Sequence, residues 1–215
     1  MTDAHCHISS GDPSVRELLI GRDFFGMHPW DVASTDSSVD EFIGHLREEL
    51  VKNPKAGVGE IGLDRLKDRD ISPRMREVFE AQLALALELD RPVVLHGAKC
   101  WGQVVEKVKS EKGKVKKCGS EFLFHGFSRS DGLIPDIVRL GGYISVGPAI
   151  LNDHAVNYRA MVKKIPRERL LIETDRDEPG GPGIGEVAAK LAEVLGMTFA
   201  ELETLTDSNA EAFLL

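Results

Sequence analysis

The chain has 215 residues, a formal net charge of −8, and a composition that is 42% hydrophobic and 29% charged. That is enough apolar material for one core, with no apolar run near the roughly 20 residues of a membrane span and no basic excess of the kind a general nucleic-acid binder carries. Three cysteines without a CxxC pair, and an opening MTDAHCHISS without a basic-then-apolar leader, point to a reducing cytoplasm and against disulfides, secretion or a cysteine zinc site.

In chain order, a strand is expected to start at Met1 and another to lie within Leu18–Gly26. A helix follows over Asp36–Lys52, where Val39, Phe42, Ile43, Leu46 and Leu50 share a face. Next come a strand at Ala56–Ile61 and a helix at Pro73–Leu89, with Ser72 before Pro73 and with Met75, Val78, Phe79 and Leu83 on one side. Further strands are expected at Pro92–His96, Glu121–His125, Gly142–Val146 and Leu170–Glu173. The lysine-rich stretch Lys107–Lys117 reads as a solvated helix end and turn, and Glu178–Gly185 (EPGGPGIG) as a loop. Thr198 with Glu201, and Ser208 with Glu211, each read as a capping box opening a C-terminal helix. Strand–helix repetition with no dividing linker implies one α/β domain over residues 1–215, either a barrel or an open doubly wound sheet.

The choice between them depends on where the polar residues sit. His5, His7, His96 and His125 end or follow apolar runs, as do Glu60 and Asp175. In a barrel such ends form one rim, and imidazoles and carboxylates converging there without opposing cations call for a divalent metal with N/O ligation. His5 and His7 are two apart in a strand, on one face, with Cα atoms about 6.6 Å from each other, so they can grip one ion. Cys6 then points into the packing layer. Asp3 shares the histidine face and is expected to orient a ligand through its other ring nitrogen. The competing interpretation is a pair of strand-end histidines without metal. There is no HExxH, so a helix-borne zinc protease site is excluded.

The segments DAHCHI (Asp3–Ile8), GMHPW (Gly26–Trp30), GEIGLD (Gly59–Asp64), PVVLH (Pro92–His96), FHGFS (Phe124–Ser128) and ETD (Glu173–Asp175), with a closing Asn209-Ala-Glu-Ala-Phe213, resemble the TatD family in order and over essentially the whole chain. The family comprises metal-dependent hydrolases of the amidohydrolase-like barrel superfamily, best known as deoxyribonucleases. The resemblance implies a TIM-type (β/α) barrel and a centre of two divalent metal ions, magnesium, manganese or zinc. His5 and His7 would bind one ion, His96 and His125 the other, Glu60 would bridge them, and Asp175 would complete the first site. DNA is the implied substrate, with no membrane and no obligate protein partner.

The sequence also departs from that pattern. Only 20 residues separate His7 from His28, and a full barrel takes about 250 residues, so a barrel shortened or distorted near the N-terminus, with an early αβ segment lost or shrunk, is expected. Ala98 with Lys99 replaces a usual Arg, Arg129 a usual Gly, and Arg176-Asp177-Glu178 a small residue before Pro179. These changes open a second function, hydrolysis of another ester or amide such as an aminoacyl ester. A non-catalytic metal scaffold and a PHP-type phosphoesterase fit the motifs less well. Asp175 is expected to hold the attacking water and accept its proton, with Glu60 the other catalytic carboxylate. Glu173 is read equally as support for the site or as a salt-bridged strand end. His28, Lys99 and Arg129 are candidate substrate contacts, with Trp30 a stacking face and Arg176 a further cation; His28 and Trp30 are otherwise a turn anchor and a lid on the barrel mouth. His45 and His154 read as surface histidines. Cys100 and Cys118 read as partly exposed and unreactive.

Overall fold

In the computed structural model the described residues are 1–66, 69–115 and 119–215. The expectations for Lys116, Lys117 and Cys118 lie outside them. Among the described residues eight strands follow in order: β1 (Thr2–Cys6), β2 (Arg16–Leu19), β3 (Phe24–Phe25), β4 (Gly57–Asp64), β5 (Val93–Ala98), β6 (Phe122–Phe124), β7 (Gly142–Val146) and β8 (Leu170–Ile172). β3 to β8 form one sheet of six strands and β1 with β2 a second, every pair parallel and every neighbour sequential. Contacts outside the ladders close the two seams. Ile20 bridges Phe24 between β2 and β3. Across the other seam Asp175 N–H donates to His5 O (3.0 Å) and His7 N–H to Arg176 O (2.8 Å). The result is the expected (β/α) barrel.

The helices on its outside begin only at the third connection. They are α1 (Val39–Lys52), α2 (Pro73–Glu88), α3 (Trp101–Lys112), α4 (Ile134–Arg139), α5 (Val156–Val162), α6 (Ile184–Leu195) and α7 (Phe199–Phe213). Residues 7–15 and 20–23 join β1 to β2 and β2 to β3 with no helix. The shortening is therefore of helices and not of strands, and the segment expected within Leu18–Gly26 is two short strands. Glu17 holds the bared connection: its carboxylate accepts from Ser9 Oγ (2.5 Å) and Ser10 N (2.7 Å) and lies 3.6 Å from Arg176 Nη1.

Local chemistry sets the helix starts. Ser38 Oγ accepts from Glu41 N (3.2 Å), so α1 begins at Val39 rather than Asp36. Ser72 Oγ does the same for Met75 N (3.0 Å) ahead of Pro73. Thr198 and Glu201 form the expected reciprocal box at α7. The Ser208–Glu211 pair opens nothing, because α7 runs unbroken to Phe213. The loop at 178–185 ends early for a similar reason: Gly183 N–H donates to Glu186 Oε1 (2.9 Å) and Ile184 already begins α6.

Side chains alternate along the strands between two cores. Val94, Leu123, Leu171, Ala4 and Leu18 belong to one, with Phe213 of α7 set against Phe24 and Tyr143 at the strand starts, so that end of the barrel is plugged. Val93, Leu95, Phe122 and Phe124 belong to the other, packed under helices that contribute Phe79, Leu83, Val104 and Leu191. The strands' C-terminal ends stay polar.

Candidate metal centre

Each polar side chain reaches the rim through its own strand. His5 lies in β1 and His7 just beyond it, Glu60 and Asp64 in β4, His96 in β5, His125 directly after β6, and Glu173 and Asp175 after β8. His28 follows β3 and is set by Gln82 of α2, a buried amide that accepts from Met27 N (2.6 Å) and donates to Met27 O (3.2 Å). Within β4 the glycine at 62 is required: its φ is +154°, and a Cβ there would stand 2.0 Å from His96 O.

Glu60 divides the centre. Its Oε2 lies 3.3 Å from both His5 Nε2 and His7 Nε2, and Asp175 Oδ1 stands 3.3 and 3.6 Å from the same nitrogens. Its Oε1 lies 2.6 Å from His96 Nδ1, 2.6 Å from His125 Nε2 and 3.3 Å from His28 Nε2. One buried carboxylate thus turns an oxygen to each of two donor clusters. His5, His7 and Glu60; His5, His125 and Asp175; and His28, Glu60 and His96 each converge closely enough to hold an ion.

The first cluster fits a metal on a direct observation. His5 is fully buried, and neither of its ring nitrogens makes a hydrogen bond. Donors around a tetrahedral ion with bonds of about 2.1 Å stand about 3.4 Å from one another, which matches the spacings at His5 and His7. Burial disfavours charge on His5, yet the Asp175 and Glu60 carboxylates hold its imidazole well above the ordinary value. The same two carboxylates raise His7 to about 9. Burial opposes ionisation of Glu60, but His125, His28 and His5 hold it well below the usual carboxylate range, and His5 and His7 keep Asp175 low. The protons that balance these carboxylates are the ones a divalent cation would displace.

Beneath these groups lies a layer of supporting contacts. Asp64, wholly buried, accepts at Oδ2 from His96 Nε2 (2.9 Å) and Trp30 Nε1 (2.9 Å), and at Oδ1 from Leu66 N (2.6 Å). Burial disfavours charge on His96, but Asp64 and Glu60 raise it to about 9. Glu173 is buried and accepts from Gly126 N (2.7 Å) and Ser145 Oγ (2.5 Å), which favours site support over a solvated strand end. Asp3 does not serve His5 as expected. It accepts from Thr174 N (2.9 Å) and Thr174 Oγ1 (2.6 Å), tying β1 to the end of β8, and His5 Nδ1 stays without a partner.

A cleft of about 350 Å³ opens over the centre, lined by His7, His28, Trp30, Glu60, His96, His125 and Asp175 with Asp31 and Asp177. His28 thus faces the space where a substrate would lie. Lys99 is exposed after β5 and does not line the cleft, and Arg129 lines a neighbouring cavity with Asn152 and His154. Arg176 is directed away, against Glu17. Cys100 is buried rather than partly exposed, its thiol donating to Leu63 O (3.1 Å), and Cys6 is core as expected. His45 and His154 are exposed.

Residues 21–215 match the family described as TatD related DNase. YabD of Bacillus subtilis, named an uncharacterized metal-dependent hydrolase, is 30% identical over 198 residues, 86% of this chain and 74% of that protein. The chain belongs to the TatD family. A TatD of Klebsiella pneumoniae, named a 3'-5' ssDNA/RNA exonuclease, is 29% identical over 202 residues and is covered to 73% of its length. The crystal structure of YjjV, a TatD homologue from Escherichia coli K12, superposes with a TM-score of 0.75 at 26% identity, over 94% of this chain and 78% of that one.

Asp64 and Gln82 are the site residues that sequence reasoning left without a role. Asp64 carried a usable signal, since it follows Glu60 by four in a strand and so shares its face. Gln82 carried none beyond a polar residue on the apolar side of a helix.

Proposed function

We propose that residues 1–215 act as one metal-dependent hydrolase domain holding two divalent cations, and that its reaction is phosphodiester cleavage in DNA. His5, His7 and Asp175 would hold one cation and His96 and His125 the other, with Glu60 offering an oxygen to each. The observation that carries this is Glu60, buried between two donor clusters with one oxygen turned to each. A pair of divalent ions supplies a water of lowered pKa and positive charge for the phosphoryl oxygens. Asp175, its carboxylate half exposed at the cleft and Oδ1 set against His5 and His7, orients the attacking water and accepts its proton. His28 Nε2 faces the same space and donates to a phosphoryl oxygen, and the Trp30 ring offers a face to a base. Lys99 and Arg129 would meet only parts of a substrate lying beyond the cleft.

One observation favours a second substrate class. Among the described residues, no Lys or Arg lines the cleft, and Asp31 and Asp177 do, which suits a small, modestly charged ester better than a polynucleotide. Single-stranded DNA, double-stranded DNA and aminoacyl or aryl esters, each assayed with manganese, magnesium or zinc, separate the two. Release of nucleotides from DNA supports the nuclease; a metal-loaded protein inert on DNA and active on esters supports the other.

A further inference from the structure

We infer that Trp30 is a positioning residue that sets both imidazoles on the Glu60 Oε1 side of the centre, His96 through Asp64 and His28 directly. This rests on the metal-dependent reading of the site and adds to it a residue with no ligand atom of its own. The indole Nε1–H and His96 Nε2 meet on the same oxygen, Asp64 Oδ2, each at 2.9 Å, while Asp64 Oδ1 is held by Leu66 N at 2.6 Å. The carboxylate is buried, these donors bear directly on its orientation, and a buried polar group that loses a donor is costly. With Nε2–H committed to Asp64, His96 turns Nδ1 toward Glu60 Oε1 and toward any cation there.

The backbone of the same residue sets the other ring. Trp30 N–H donates to His28 Nδ1 at 3.1 Å, so a neutral His28 carries its proton at Nε2. That nitrogen lies 3.3 Å from Glu60 Oε1 and 3.4 Å from His96 Nδ1. The two rings, though adjacent and at 76° to one another, are thus set to opposite tasks. In their neutral forms, facing a cation, His96 would present a lone pair at Nδ1 and His28 a donor at Nε2, which aims His28 at substrate and His96 at the ion. Trp30 is half exposed at the cleft while its N–H reaches inward, which places one aromatic residue between the substrate space and a metal-facing histidine.

Calorimetric titration of the metal-free full chain with zinc tests this. The binding step lost in His96→Ala identifies the site on that side. Trp30→Phe keeps the ring and the backbone N–H but removes the indole donor. It should weaken that step about tenfold or more and leave any other step unchanged. Asp64→Asn should weaken the same step. Because the chain has two tryptophans, ¹⁵N-indole spectra give a second readout: the cross-peak absent from Trp30→Phe should shift as zinc loads the wild type and should not in Asp64→Asn. An unaltered step in Trp30→Phe, equal weakening of all steps, or an indole signal indifferent to zinc overturns the positioning role while leaving the metal centre standing. A wild type with no zinc step, or a His96→Ala variant that loses none, refutes the metal reading itself.

Discussion

Asp175 has a φ of +51°, in the left-handed region that a non-glycine residue occupies at a cost, and its carboxylate rests against His5 and His7. A residue kept there fits a task at that point on the rim. Asp175→Asn should cut turnover by about 10²–10⁴-fold while much of the metal stays bound, because the amide still offers an oxygen but cannot take a proton; single-turnover kinetics beside metal analysis check both halves. A second prediction follows from the histidines. His7 and His96 are held near 9 without metal, against an ordinary value of 6.5. Their contribution to the stability of the metal-free protein is complete below about 6.5 and is lost as pH rises through about 9. Metal binding gains over the same window, because the cation replaces those protons. Melting temperatures with and without metal should therefore diverge between pH 6.5 and 9, and parallel curves would contradict the site. His5, His7, Glu60, His96, His125 and Asp175 could be read as one cluster from the sequence because each is a polar residue closing an apolar run. Asp3 was misplaced because a shared strand face does not say which neighbour a carboxylate will meet, and Thr174 lies 171 positions away.

Among the elements, most of the parallel strands were legible from their apolar runs, and α1, α2 and α7 from an apolar face or a serine or threonine cap; α3 and α6, which start after Cys100 and Gly183 with no side-chain cap, were not. The short ones were not: β3 has two residues, and α4 and α5 have six and seven, too few to display a period. The Ser208–Glu211 pattern misled because it recurs by chance within a helix whose true cap is Thr198. What α7 does instead is set by Asn209, whose Nδ2 donates to Arg167 O (2.7 Å) and Leu170 O (2.8 Å) at the start of β8. Asn209→Ala leaves those carbonyls without their side-chain donor and should cost about 2–3 kcal/mol, seen as a lower midpoint in urea. Arg129, after β6, has a φ of +59°. Arg129→Gly relieves that conformation and should stabilise the fold by about 0.5–1 kcal/mol. If Arg129 also contacts substrate, KM rises in the same variant; an unchanged KM removes it from that role.

At the scale of the whole molecule, the shortened chain keeps every strand and gives up the first two outer helices, because convergence at the rim depends on the strands alone. The Glu17 cluster with Ser9, Ser10 and Arg176 ties the helix-free connection between β1 and β2 to the segment after β8. Among the described residues, no helix is long and apolar enough to cross a membrane. With a net charge of −8, a DNA substrate would have to be drawn by a metal centre and a few local cations. Binding of a single-stranded oligonucleotide should accordingly be weak and should fall as salt is raised. An affinity indifferent to salt would favour the small ester. The most direct test of the account is a crystal soaked in manganese and measured for anomalous scattering. Two peaks should appear on either side of Glu60, one among His5, His7 and Asp175 and the other against His96 and His125; a map with no peak between these residues would contradict it.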